Sequence, residues 1–156
     1  MNCEFYACTD IGRVRANNED AVFVDAARGL ALLAARIEAT AQLARAEPEL
    51  AGHAGALATA LARLQTATQA AWAGGLPGEI LANAVPYMQA FGHVVVAWIW
   101  LELSIAARAS ADATRRAGVD GARTYFFHYE LPRIEPWLRV VETRDTTCVR
   151  LPEEAF

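Results

Sequence analysis

The sequence predicts an all-α protein, a four-helix up-down bundle preceded by a short N-terminal appendage that has the makings of a β-hairpin. Three observations lead there. Apolar residues recur at helical period in four segments, near 30–46, 48–73, 78–110 and 121–144. The hydrophobic fraction is 54%, much of it alanine, the best helix former. Short breaks carrying proline or glycine separate the segments, and helices joined by short breaks favour a bundle.

The appendage comes first. EFYAC at 4–8 and AVFVD at 21–25 have the short apolar character of strands and could pair. Two strands alone are marginal in water and need something to pack on. From about residue 30 the chain turns helical. GLALLA, 29–34, is expected to be helix, because alanine and leucine favour it and partner strands are lacking.

In the first helix Leu30, Leu33, Ile37, Thr40, Ala41 and Ala44 share a face. Pro48 ends it and suits the first turn of the second helix. There Leu50, Ala54, Leu57, Leu61, Leu64, Thr68 and Ala71 form one narrow stripe, and Gly74-Gly75 is expected to stop it.

The third helix carries two apolar rows. One is Ile80, Ala84, Tyr87, Phe91, Val94, Trp98, Leu101 and Ile105. Beside it lie Leu81, Val85, Met88, Gly92, Val95, Ile99 and Leu103. Two rows predict burial on most sides, hence the central helix of the bundle. Pro86 predicts a kink or a late start. Gly92 would let a neighbouring helix approach closely. Ala117–Gly121 reads as a break. Phe127, Leu131, Ile134, Leu138 and Val141 then form the inward row of a fourth helix, interrupted by Pro132 and Pro136. The tail TTCVRLPEEAF is expected to be extended.

Composition excludes several classes of function. The net charge of −4 and the lack of a basic stripe argue against nucleic-acid binding. Cys3, Cys8 and Cys148 have no framework spacing, which predicts a reduced, cytoplasmic setting. MNCEFYACTD lacks a basic region followed by an apolar run, so no signal peptide is expected. The apolar stretch 94–107 is shorter than the roughly 20 residues a bilayer span needs, so no membrane segment is expected.

The stretch DIGRVRANNEDAVFVD holds the main candidate chemistry. Adjacent carboxylates Glu19 and Asp20 on a turn are the oxygen ligands that Mg²⁺ or Mn²⁺ prefers, and Arg15 could clamp a phosphate. TDIGRVRANNEDAVFVDAARGLALLA, about 7–34, resembles the opening of bacterial PP2C-type (PPM) serine/threonine phosphatases. The resemblance implies phosphate contact by Arg15 and a two-metal Mn/Mg site that includes Glu19 and Asp20. That family continues into an Asp-Gly-Met-Gly-Gly segment with a further metal ligand, where this chain reads ALLAARIEAT. A two-metal hydrolase needs carboxylates converging from several elements. Glu19 and Asp20 are therefore read here as turn charges of an incomplete site.

From about residue 35 a second resemblance begins. ILANAVPYMQAFGHVVVAWIWLELSIAA and ARTYFFHYELPRIEPWLRVVE resemble the C-terminal helical extension of a branch of the acyl-CoA dehydrogenases. The pattern falls on Ala82-Asn83-Ala84, Tyr87, Phe91-Gly92, Trp98, Tyr125-Phe126-Phe127 and Leu131-Pro132. The family implies FAD and acyl-CoA chemistry, carried in the parent enzymes by elements upstream of the extension. The extension alone is expected to hold no cofactor and to be inactive. It would serve packing or oligomer contacts, with itself as a dimer or with an acyl-CoA dehydrogenase core.

The domains read from the sequence are thus a truncated phosphatase-like segment, 1–33, and a dehydrogenase C-terminal-like bundle, 34–156. Two signatures meet near residue 33 with neither complete, as a fusion, a deletion or an assembly error would leave them. Residual metal or phosphate binding, or no evolved activity, are the competing functional readings.

The remaining polar residues are weaker. His53, His93 and His128 fall on three different helices without ligand spacing. Glu102 is either a buried base or an edge carboxylate paired with Arg108, Arg115 or Arg123, and the second is favoured. Trp72, Trp98, Trp100, Trp137, Tyr87, Phe91, Phe126 and Phe127 are expected in the core.

Overall fold

A computed structural model describes residues 26–73 and 77–151. The expected strands at 4–8 and 21–25, the Gly74-Gly75 stop and residues 152–156 lie outside the described residues. The chain divides into two units, residues 1–36 and residues 37–156. Of the first, the described part is the opening of one helix, and 29–34 are helical as their composition predicts.

The described residues are all-α, with no strand among them. Helix α1 spans Ala26–Arg45, α2 Pro48–Trp72, α3 Pro77–Leu81, α4 Ala84–Ala107 and α5 Ala113–Tyr125. A π-helical turn, Phe126–Glu130, and a 3₁₀ turn, Leu131–Arg133, lead into α6, Ile134–Glu142, and then α7, Thr147–Arg150. Within the second unit α4 packs against α2, α5 and α6, and α2 packs against α6.

The inward rows follow from the sequence. Ile37, Ala41, Ala44, Leu50, Ala54, Leu57, Leu61, Leu64, Val94, Leu101, Phe127, Leu131, Ile134, Leu138 and Val141 are buried. Each large aliphatic side chain among them contributes about 1.5–3 kcal/mol through removal from water. Arg63 of α2 then ties the outer surface of this packing to α6, bonding Glu135 at 3.2 Å and Glu142 at 2.5 Å.

Two of the four expected helices are divided. The 78–110 segment breaks at Ala82-Asn83 into α3 and α4. Pro86 therefore occupies the first turn of α4, where its missing N–H has no helical partner to lose. The late start, not the kink, is what forms. In the 121–144 segment Pro132 interrupts the ladder. The chain widens to a π turn before it and tightens to a 3₁₀ turn around it, which keeps Phe127, Leu131 and Ile134 on the inward side. Pro136 sits harmlessly in the first turn of α6.

Three expectations are corrected. Ala117–Gly121 is not a break but the middle of α5. The glycines cost about 1 kcal/mol each in a helix, and Asp112 offsets that by capping the helix, its carboxylate accepting the Arg115 N–H at 3.0 Å. The tail is not extended throughout, since 147–150 form α7. Its entry is set by Asp145, which accepts the Thr147 N–H at 2.9 Å; that bond holds the exposed Asp145 carboxyl below its ordinary range.

The third correction concerns α4 itself. It is not buried on most sides. Its first row packs inward, but Leu81 on α3 and Val85, Met88, Ile99 and Leu103 of the second row are exposed, as is Val96 beside them. A second apolar row predicts burial only when some other surface covers it.

Candidate functional site

Arg15, Glu19 and Asp20, the residues proposed to bind phosphate and metal, lie outside the described residues. Among the described residues no group of three or more His, Cys, Asp or Glu side chains could hold a metal ion.

The residues of the dehydrogenase-like pattern are placed at helix junctions. Asn83, in the break between α3 and α4, donates from Nδ2 to the Asp145 carbonyl at 2.8 Å. That carbonyl lies just past α6, so Asn83 ties the start of α4 to the end of α6. Tyr87 and Thr68 meet at 2.9 Å. Thr68 already donates its proton to the Leu64 carbonyl at 2.7 Å, so the Tyr87 hydroxyl is the donor in the α4–α2 tie. Trp98 donates from Nε1 to Thr40 Oγ1 at 2.8 Å, joining α4 to α1. Phe127 and Leu131 are buried, while Tyr125 is exposed and stacks on Tyr129 with ring centroids 4.9 Å apart.

Glu102 takes neither role offered by the sequence. It is exposed, and it accepts a hydrogen bond from Thr40 at 3.1 Å rather than pairing with Arg108, Arg115 or Arg123. Two of those arginines are engaged elsewhere. Arg108 forms an ion pair with Glu49 at 2.6 Å, and Arg123 bonds Asp120 at 2.5 Å. Arg123 is 4% exposed, a buried cation on α5 whose counter-charge is one turn back. Opposite charges three residues apart on a helix signal such a pair. The expected break across Ala117–Gly121 hid it.

His53 stands beside this pair. Its ring meets Phe127 edge-on at 4.7 Å and lies 6.3 Å from the His128 ring. Burial, then the Arg123 charge, then His128 hold its pKa below the ordinary 6.5, against smaller opposing effects of the Glu49 carbonyl and Asp120. The Glu49 carbonyl lies near, yet the geometry leaves the buried Nδ1 without a hydrogen bond. His53 is therefore neutral at pH 7.

His93 is a boundary residue on α4. It donates from Nδ1 to the Gln89 carbonyl at 2.8 Å, and its ring meets Trp137 edge-on at 4.9 Å. Nε2 lies 3.7 Å from Glu130, which also holds Arg133 at 2.8 Å. These groups line an open groove of about 470 Å³ with Val85, Pro86, Gln89 and Trp137.

The apolar cavity between α2, α3, α4 and α6 measures about 210 Å³ and is lined by Trp72, Leu81, Asn83, Tyr87 and Met88. Ligand pockets run from about 300 to 1,000 Å³, so this cavity is smaller than that range. The broader grooves are shallow surface features.

What α4 does present is an apolar face. Val85, Met88, Gly92, Val96, Ile99 and Leu103 follow one another at helical spacing along its outward side. A groove of about 440 Å³ crosses it, lined by Ala84, Val85, Met88, Gln89, Gly92 and His93. With 24 residues and an 18-residue window of mean hydropathy 1.6, α4 is long and apolar enough to cross a membrane by length and composition. The apolar helix thus extends well beyond the 94–107 stretch that the sequence marks out. Its opposite side, with Ala90, Val94, Ala97 and Leu101, is packed into the unit.

A family model described as acetyl-CoA dehydrogenase C-terminal like matches residues 33–152. No curated protein and no solved structure matches the chain.

Proposed function

The chain belongs to the acetyl-CoA dehydrogenase C-terminal-like family, and we propose that it acts as a noncatalytic helical module, serving packing or oligomer contacts. One observation carries this reading. The polar residues of the family-like pattern spend their hydrogen bonds tying helices together, Asn83 to the end of α6, Tyr87 to α2 and Trp98 to α1. The exposed apolar row on α4 adds a surface suited to a protein partner. The partner is a second copy or an acyl-CoA dehydrogenase core.

Anaerobic titration of the full chain with FAD, followed by acyl-CoAs of several chain lengths, tests the noncatalytic part. The expected result is neither a shifted flavin spectrum nor bleaching. Tight flavin binding with substrate-dependent bleaching overturns it.

A further inference from the structure

We propose that the outward face of α4 is a two-fold contact between two copies of this chain, with the helices antiparallel and Gly92 of each receiving Val96 of the other. This rests on the reading of the chain as a packing module and names its partner.

The first ground is area. Val85, Met88, Val96, Ile99 and Leu103, with Leu81 on α3, are 38–73% exposed. They offer on the order of 500 Å² of apolar surface per copy, at the upper end of what a typical monomer leaves bare. Two copies together reach on the order of 1,000 Å², where specific interfaces begin. Gln89, His93, Trp100 and Ala106 flank the row and supply a rim.

The second ground is shape. Val85 to Leu103 covers about 27 Å of helix at 1.5 Å per residue. Large side chains stand at both ends of the row and the smallest residue stands near its middle. Turned about an axis near residue 94, the row matches itself. Val85 meets Leu103, Met88 meets Ile99, and Gly92 meets Val96. A Cβ built on Gly92 would touch nothing within 4 Å, so the position is an open hollow rather than a packed one. A β-branched side chain from the second copy would fill it, and the absence of a side chain lets the helix axes draw close. An isologous contact requires this kind of self-matching; a different partner would not.

The third ground is charge. The row itself is uncharged, and Glu102 at its edge is held by Thr40. A face meant for an acidic or basic partner would carry the complementary charge. Two copies, each of net charge −4, repel one another least across a face where charge is absent.

Sedimentation velocity of the full chain over a wide concentration range tests the contact. A reversible dimer is expected, and Ile99→Glu should weaken it roughly tenfold or more by placing a charge in an apolar seam. Gly92→Leu is the second variant. It fills the hollow without touching the chain's own core, so it should weaken the dimer while the circular dichroism stays unchanged. Orientation is read by cysteine pairs, with Cys3, Cys8 and Cys148 replaced by serine. A mixture of Val85→Cys and Leu103→Cys chains should form a mixed disulfide dimer, while neither chain alone should crosslink to itself. Three results overturn the proposal: a monomer at every concentration, a dimer indifferent to both seam variants, or self-crosslinking of Leu103→Cys alone. A monomeric chain that co-floats with phosphatidylcholine vesicles and loses this with Ile99→Glu overturns it in favour of a lipid surface. The flavin titration reads the module role separately, so a monomer that binds no flavin removes the self-contact and leaves the module reading in place.

Discussion

Trp98 donates its indole N–H to the Thr40 hydroxyl at 2.8 Å, and Thr40 hands its own proton to Glu102 at 3.1 Å. A threonine placed by its helix on an apolar row thereby becomes a polar link between α1 and α4. Thr40→Val keeps the shape and removes both bonds, leaving the half-buried indole N–H without this acceptor. The expected loss is about 1–2 kcal/mol, read as a lower urea midpoint at unchanged slope. Glu102→Gln should change stability by less than about 0.5 kcal/mol, because its carboxyl is exposed.

Arg123 and Asp120 should respond unequally. Asp120→Ala leaves a guanidinium buried without its counter-charge, at a cost of about 3 kcal/mol. Arg123→Met removes the buried charge itself and fills the space with an apolar chain, and should cost about 1 kcal/mol or less. Denaturant unfolding of both variants checks the order. A larger loss for Arg123→Met would show that Asp120 is satisfied without the pair.

His53 makes stability depend on pH. Its folded pKa lies below 6.5, so below that pH the unfolded chain binds the proton more readily than the folded one. The stabilisation is complete above pH 6.5 and is lost as pH falls through 6.5 toward the folded value. His53→Gln should flatten this part of the curve. Thermal unfolding of both chains between pH 5 and 7.5, bracketing the ordinary histidine value, decides it. Parallel curves would assign the dependence to another group.

Arg144 has φ of 52°, the left-handed region. It ends α6 in a Schellman turn, with the Asp145 N–H bonding the Val140 carbonyl at 3.3 Å and the Arg144 N–H bonding that of Val141 at 3.1 Å. A non-glycine residue there costs roughly 1 kcal/mol. Arg144→Gly should therefore stabilise the fold by about 0.5 kcal/mol after glycine's own chain entropy is counted, read as a slightly higher melting temperature. A lower melting temperature would mean that the arginine side chain contributes more than its backbone costs.

Helix existence was legible in the sequence because it is local. Residues three and four apart share a face whatever the rest of the chain does, so the rows through Leu57, Val94 and Leu138 point inward as their spacing requires. The start of α5 was missed, although a signal for it was present. Asp112 is a capping residue, but Gly118 and Gly121 masked the helix that follows it. The family-like pattern at Asn83, Tyr87 and Trp98 was visible as residue types without any sign of their partners.

Those partners lie far along the chain, and only tertiary structure brings them together. Asn83 meets Asp145 and Trp98 meets Thr40 across 62 and 58 residues. The helix break at Ala82-Asn83 is local in origin, set by Pro86, but the acceptor that Asn83 finds there lies beyond α6. The sequence by itself determined that the third segment has two apolar rows. Tertiary structure decided that only one of them is covered, because burial is a property of what stands opposite a helix, and periodicity describes only the helix.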